Sequence, residues 1–582
     1  MCGVFGYIER SDSQKKIDHN VLEQMSNCIS YRGPDNSGKF EMDHEDYKIK
    51  LYHHRLSIQG LGRLGNQPYK FNDYVVLYNG EIYNYKFLKK ILVDHQYKLK
   101  SNCDTELIAP LFELFGHNFI EKIDGIFSII IYNSKNHQIF MYNDCFGVKP
   151  LYFYSDQEKI IFSSELSSFK FLNYDINFNA VKSFFIGSYN SFKESYFKNV
   201  FQLKPSKYLK FNLNNFNSNE YEYKTKLLSS EDSLYNNIDK VVKDQLISDV
   251  PVGIMLSGGL DSSIVLHHAS KYIKNFKAYT VDYGFNKLDV QNAKILSKSL
   301  NIDLVVINLN KENDNFFSIL NNVYNEISEP IGDSAYIGTF LICKKAKNDG
   351  IKVLLSGAGG DEIFGGYSRY INNYKDIFRK LFFFLSYFKS LSPKLLKIVD
   401  INFDMFTNTS GCFSEVLNLI KTTEVNSFIT KFSNEFKSVG NSLESKMLFD
   451  LKSYLPNDIF KLTDLASMNN SIEVRVPLTS VIIKNFVSST FNNQDYINKS
   501  VTKNKLRKLY KNFLPREVIE MKKMGFGAPV NHIVDKCKPE LIDFIKVNSN
   551  KLDLFDVEKI NYNSISNNLL FHLFIYIKWK LK

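Results

Sequence analysis

The chain has 582 residues, too many for one ordinary domain, and its 44% hydrophobic content is enough for a sizeable core. The net charge of +11 is spread as isolated lysines with no long basic run, which argues against a nucleic-acid stripe and for a solvated surface. The seven cysteines form no CxxC pair and no Cys/His metal spacing, which excludes a disulfide framework or structural zinc and fits a reducing, cytoplasmic compartment.

The chain opens MCGVFGYIER, with a cysteine directly behind the methionine. The first residues lack the basic-then-apolar order of a signal peptide. Next come KIKLYHHRLSI, YVVLYNGEIYN, IFSIIIYN and HQIFMYND, short β-branched and aromatic runs that predict strands. TELIAPLFELF between them has a helical pattern. Strands and helices in separate runs predict α+β layers. Around 206–226 the chain becomes polar and Asn-rich, and the domain boundary is placed there.

After the boundary, strands alternate with helices: VPVGIMLSGGLDSSIVLHHASKYI, FKAYTVDYG, DLVVINLN and IKVLLSGAGGDEIFGGY. Such alternation predicts a parallel sheet covered on both faces. From about residue 370 the patterns are mainly helical. LFFFLSYF (381–388), between Lys380 and Lys389, is the most apolar run. It is too short to cross a bilayer, so no membrane insertion is expected and a buried helix is predicted.

SGGLDSS (257–263) follows an apolar strand and opens a helix. Gly258 and Gly259 allow a sharp turn that presents N–H groups to an anion, and the helix start adds partial positive charge. Ser257, Ser262 and Ser263 supply hydroxyl donors. Asp261 repels phosphate unless Mg²⁺ lies between them. The GK[ST] ending of a Walker A loop is absent. The string resembles the pyrophosphate-binding loop of the ATP pyrophosphatases. The second turn, SGAGGDEIFGGY (356–367), makes Asp361 a second metal ligand; loops from two strand ends of one parallel sheet share the edge where such sheets bind ligands.

An enzyme that forms AMP and pyrophosphate activates a carboxylate, and ammonia is a natural attacker. If methionine is removed, Cys2 carries a thiol and an α-amine of pKa near 8 that can act as its base. In NGEIYN, the Asn79 amide and Gly80 N–H are candidate oxyanion donors. Arg55 is a candidate clamp for the α-carboxylate of glutamine, and Asp104 for its α-ammonium.

MCGVFGY, YRGPDNSG, HRLSI, QPY, NGEIYN, CDTE, FGVKPLYF, SSEL, SGGLDSS, SGAGGDEIFGGY, YLP and EVRVP occur in this order. In this the chain resembles the glutamine-hydrolysing asparagine synthetases over almost its whole length. The resemblance implies an N-terminal-nucleophile αββα sandwich at 2–213, a glutaminase. At 228–582 it implies an α/β ATP-pyrophosphatase domain with a helical C-terminal part. It adds Glu81 to the glutamine site with Arg55, Asn79 and Asp104. It adds Leu256, Val281, Ser356, Gly357 and Lys523 to the ATP site, with Lys522 as the adjacent alternative. ATP and Mg²⁺ are the implied cofactors, with glutamine and a carboxylate acceptor as small-molecule partners and a homodimer as the assembly.

The resemblance thins at the acceptor site. Ala358 stands where the family commonly has an acidic residue. EPIGDSAYIGTFL (329–341) offers no arginine for the α-carboxylate of aspartate, and Leu478, Thr479 and Ser480 replace Phe-Leu-Asp after EVRVP, while Arg475 remains. Aspartate is the first expectation for the acceptor. The alternative is a uronic-acid carboxylate in bacterial surface polysaccharide assembly.

Overall fold

The structure, a computed structural model, describes residues 2–14, 16–225, 233–284, 288–309, 315–371, 401–407, 411–420, 422–436, 442–522, 525, 527–562 and 564–582. LFFFLSYF (381–388) and Lys523 lie outside the described residues.

Twelve strands form the first region: β1 (Gly3–Arg10), β2 (Asn36–Asp43), β3 (Tyr47–Arg55), β4 (Tyr69–Phe71), β5 (Tyr74–Ile82), β6 (Gly125–Asn133), β7 (Gln138–Asn143), β8 (Tyr152–Ser155), β9 (Lys159–Ser163), β10 (Phe201–Gln202), β11 (Lys207–Asn212) and β12 (Asn217–Glu222). They make two antiparallel sheets, ordered β10-β8-β9-β1-β3-β2 and β12-β11-β7-β6-β5-β4. Side chains alternate between faces along a strand, and the sequence uses both. Val4, Ile8, Ile49 and Leu51 meet Leu77, Ile130 and Met141 between the sheets. Phe5, Tyr7 and Tyr52 face outward onto Leu22 and Met25 of the helix His19–Asn27. Val76, Tyr78, Ile129 and Ile131 lie under the helices Tyr85–Asp94 and Thr105–Phe115. The result is the expected αββα sandwich.

The polar stretch at 206–226 is not simply a linker. It folds as the β11–β12 hairpin on the edge of the second sheet. The sandwich therefore extends to Glu222 rather than stopping at 213. All six residues of β12 are exposed, so no apolar alternation marks it as a strand.

The second region is a five-stranded parallel sheet of β13 (Val252–Met255), β14 (Lys277–Asp282), β15 (Asp303–Asn308), β16 (Val353–Leu355) and β17 (Glu473–Arg475). Its order is β15-β14-β13-β16-β17. The strand order reverses between β13 and β16, and loops at the ends of these two parallel strands border the crevice where open α/β sheets bind ligands. β17 comes from EVRVP, inside the part expected to be mainly helical. Among the described residues the rest of that part is indeed largely helical, ending in the buried helix Asn567–Lys580.

Buried charges join the regions. Arg32 Nη1 lies 2.6 Å from Glu165 and 2.9 Å from Asp464, all three nearly inaccessible. Lys149 reaches the same Asp464 at 3.5 Å. Arg475 pairs with Glu473 at 2.6 Å and with Glu81 of β5 at 3.1 Å. No described helix is long and apolar enough to cross a membrane.

Candidate active sites

Cys2 immediately precedes β1 and is buried. Its backbone N donates to Asn79 Oδ1 at 2.8 Å, and its carbonyl accepts from Arg32 Nε at 3.1 Å. Burial pushes the thiol above its ordinary pKa, opposed by the Leu56 amide and the Arg55 charge. Asn79 is fully buried, and its Nδ2 has no hydrogen-bond partner among the described residues. Buried donors are rarely left unpaired, so this amide is poised for an acceptor beside Cys2. Gly80 follows on β5, where an added Cβ would come within 2.1 Å of the Ile126 carbonyl.

Asp104 Oδ2 accepts from Tyr78 OH at 2.8 Å and Ile82 N at 3.0 Å. Burial raises its pKa, with these two donors pulling it down. Arg55 does not present an open fork. Its Nη1 donates to Gly62 O and Asn66 Oδ1, both at 2.9 Å, and its Nη2 to Gln59 O at 3.2 Å and Gly60 O at 2.6 Å. A guanidinium has five N–H donors, so clamping a carboxylate here requires exchanging bonds with the 59–66 loop. Glu81, expected at the glutamine site, pairs its carboxylate with Arg475. Burial raises its pKa well above the usual range, against the pull of Arg475.

The two glycine loops converge on a cavity of about 370 Å³. Ser257, Gly259, Asp261, Ser262, Ser356, Gly357 and Asp361 line it. Gly258 has φ +76°, and a Cβ there would meet the Asp289 carbonyl at 2.1 Å. This is a turn that demands glycine. Ser262 Oγ sits 2.9 Å from Ser257 Oγ and donates to Gly259 O at 3.2 Å, so the loop is braced by its own hydroxyls. A Cβ on Gly357 would lie 2.6 Å from Ser262 N, so the second loop lies backbone-close to the first.

Four expected ATP contacts are not on the wall. Leu256 is fully buried in the sheet core. Val281, on β14, packs into the opposite cluster. Gly258 serves the turn beneath, and Ser263, one position further into the helix Leu260–Ala269, directs its hydroxyl back to Gly259 O at 2.7 Å. Lys522 does line the cavity.

Sequence reasoning missed Lys503. Its Nζ bonds Asp261 Oδ2 and lies 2.5 Å from Asp361 Oδ1. It follows Thr502 in a short hairpin, with no periodic or glycine signal to mark it. Arg507, one turn on, also lines the cavity, and burial lowers its pKa against the pull of Asp261 and Asp361. The wall also carries Asp333, Ser334, Tyr367, Tyr454 and Thr463 around Ala358. Tyr454 OH is 3.5 Å from Asp333 Oδ2. Asp458 is buried beside Asp333, and desolvation raises its pKa well above the carboxylate range.

An N-terminal-nucleophile amidotransferase sandwich joined to a nucleotide-type parallel-sheet domain defines a class: ligases that take amide nitrogen from glutamine and drive the reaction with ATP. The asparagine synthase family model matches residues 233–561, and the glutamine amidotransferase domain model matches residues 1–222. The chain belongs to the asparagine synthase family.

An asparagine synthetase (glutamine-hydrolyzing) 1 of Bacillus subtilis is 27% identical over 91% of this chain and 88% of its own length. A putative asparagine synthetase (glutamine-hydrolyzing) 2 of Methanocaldococcus jannaschii is 32% identical over 69% of this chain and 80% of its own. Among solved structures, a B. subtilis glutamine phosphoribosylpyrophosphate amidotransferase aligns over 64% of this chain and 78% of that one, at 13% identity and a TM-score of 0.29.

Proposed function

We propose that the chain releases ammonia from glutamine at Cys2 and uses it to amidate a carboxylate activated by ATP at the cavity. The glutaminase unit runs through β12, and the synthetase unit begins at the helix Leu234–Gln245. With the methionine removed, the Cys2 α-amine, held by Asn79 Oδ1, takes the thiol proton. The thiolate attacks the side-chain amide of glutamine. Asn79 Nδ2 and the Gly80 N–H receive the oxyanion. The amine returns the proton to the departing ammonia, and water then frees glutamate. Asp104 and Arg55 hold the glutamine backbone groups.

In the synthetase unit the acceptor carboxylate attacks the α-phosphate of ATP to give an acyl-adenylate, and pyrophosphate leaves toward Lys523 or Lys522. Ammonia then displaces AMP. The residues present fit a divalent cation: the buried Asp361 and the largely covered Asp261 are carboxylates already gathered around the Lys503 ammonium. They would hold Mg²⁺, which when bound screens phosphate charge. The observation that carries the reading is the convergence of both glycine loops on one cavity at the point of strand-order reversal.

Aspartate is the first acceptor, because the family reaction forms asparagine. A uronic-acid carboxylate is the second reading, favoured by the cavity wall. Lys503 is held by two carboxylates, and Arg507 donates to Thr502 O at 2.8 Å and to the carbonyl of Ile519. Arg369, outside the lining, is tied to Asp450 at 2.8 Å. The wall instead offers Asp333, Tyr367, Tyr454 and Thr463, groups that bond sugar hydroxyls. Pyrophosphate release with glutamine and Mg–ATP, comparing aspartate with free and nucleotide-linked uronic acids, tests both. Release with aspartate and formation of asparagine establishes the first; release only with a sugar acid replaces it with the second.

A further inference from the structure

Lys503 is 4% exposed at its side chain, yet it carries an ammonium. It sits at φ +53°, the left-handed region, at the head of the helix Asn504–Tyr510. A non-glycine residue pays backbone strain there, and the conformation coincides with the lysine reaching both carboxylates. Space is cleared for it: a Cβ on Gly366 would come 2.3 Å from Lys503 Cε and 1.9 Å from Asp361 Oδ1. A Cβ on Gly360 would come 2.7 Å from Asp261 Cγ. Two separate segments, one carrying Asp261 and the other running from Gly360 to Gly366, thus close on the Lys503 ammonium with no room for another side chain.

Two buried carboxylates this close repel unless a cation lies between them. A buried ammonium in turn needs charged partners. Lys503 meets both needs at once.

We propose that Lys503 is an internal counter-ion that occupies the divalent-cation position of the nucleotide site and admits the metal only together with nucleotide phosphates. This rests on the reading of the cavity as an Mg–ATP site. The physical reason is charge balance. With Lys503 in place half of the carboxylate charge is already offset, and a bare divalent cation meets an ammonium at its site. Polyphosphate offers that ammonium a new anionic partner, which releases Asp261 and Asp361 to the metal. Lys503 is then a phosphate-binding residue of the loaded site, although it lies 242 residues from Asp261 in sequence. The device would order binding: metal arrives with nucleotide and does not preload.

The test uses Mn²⁺ as the spectroscopic probe, with the full chain titrated by electron paramagnetic resonance with and without α,β-methylene-ATP. The wild-type protein is expected to bind Mn²⁺ weakly alone and at least tenfold more tightly with the analogue. Lys503→Met should raise the affinity for Mn²⁺ alone at least tenfold and weaken the analogue. Lys503→Arg, which keeps the charge, should leave Mn²⁺ alone weakly bound. Tight nucleotide-free Mn²⁺ binding by the wild-type protein overturns the proposal, and this measurement needs no variant to fold. Equal Mn²⁺ affinity in Lys503→Met and wild type also overturns it. So does a gain in Lys503→Arg equal to that in Lys503→Met, since bulk rather than charge would then be the cause. Failure of the wild-type protein to bind the analogue, with or without Mn²⁺, is a different result and overturns the nucleotide assignment beneath it.

Discussion

The two catalytic regions handle buried polarity in opposite ways. Around Cys2 each polar group is fixed by a short neighbour: Asn79 by the Cys2 amide, Asp104 by Tyr78 and Ile82, Arg55 by four loop acceptors. Asn79 Nδ2 and Arg32 Nη2 are buried donors left over among the described residues. Around the cavity, formal charges are gathered, Asp261 and Asp361 around Lys503. The difference follows the chemistry. An oxyanion hole works by being fixed before the charge appears. A site for a polyanion and its cation must exchange partners when they arrive.

The sharpest way to break this comparison is to silence one region and ask whether the other notices. Cys2→Ala should abolish glutamine-dependent product while added ammonium still supports synthesis. Glutamine use by that variant would sink the nucleophile assignment. Asn79→Ala should leave a weaker remnant, with glutaminase kcat down about 10²–10³-fold, the usual effect of losing one oxyanion donor. Asp361→Asn belongs to the other region. It should lower pyrophosphate release by a comparable ~10²–10³-fold with either nitrogen donor, with glutaminase turnover in the absence of acceptor retained. Loss confined to glutamine would show that the second site had been misplaced.

The seam between the regions gives a stability test. Arg32→Met removes the shared partner of Glu165 and Asp464, which are buried and then poorly compensated. The expected loss is about 3–5 kcal/mol, read as an earlier denaturant midpoint. Asp464 keeps Lys149 at 3.5 Å, so the double variant Arg32→Met with Lys149→Met, which strips both cations, should lose more than the two single losses summed. A change within about 0.5 kcal/mol for Arg32→Met alone would mean that the network is solvated in solution.

Much of this architecture was legible because its signals are local. The strands of the sandwich alternate or run apolar over several residues, and SGGLDSS carries turn, loop and helix start in one string. What was lost has a common cause. β17 is three residues, two of them the charged Glu473 and Arg475, and it is a strand only because β16 pairs with it. β12 faces water along its whole length, so nothing selects apolar residues there. Glu81 lies two positions beyond Asn79 on β5, so alternation puts both on one face, but its carboxylate is engaged by Arg475, which comes from the distant β17. Lys503 had no local mark at all. Its meaning comes from two carboxylates supplied by distant loops.

The smallest effect concerns acid, and it asks which region gives way first. His53 lies on β3 directly behind the oxyanion strand, its Nε2 donating to Tyr78 O at 3.1 Å and its Nδ1 without a partner. Burial lowers its pKa to about 3 from the ordinary 6.5. His572 ties the C-terminal helix to the sandwich through Ser188 Oγ at 3.1 Å, and burial lowers it to about 4. A histidine depressed in the folded state binds protons more readily unfolded. Its contribution is whole above pH 6.5 and drains as pH falls toward the folded value. For a fully buried ring the slope is at most about 1.4 kcal/mol per pH unit. Thermal midpoints should therefore fall between pH 7 and 4.5, and His53→Gln should flatten that fall. Because His53 supports Tyr78, next to Asn79, unfolding driven by its protonation should cost glutamine use before ammonium use, the two compared at equal free ammonia. If the two activities decline together, the weak point is the joint at His572, where His572→Gln should then flatten the profile more than His53→Gln does.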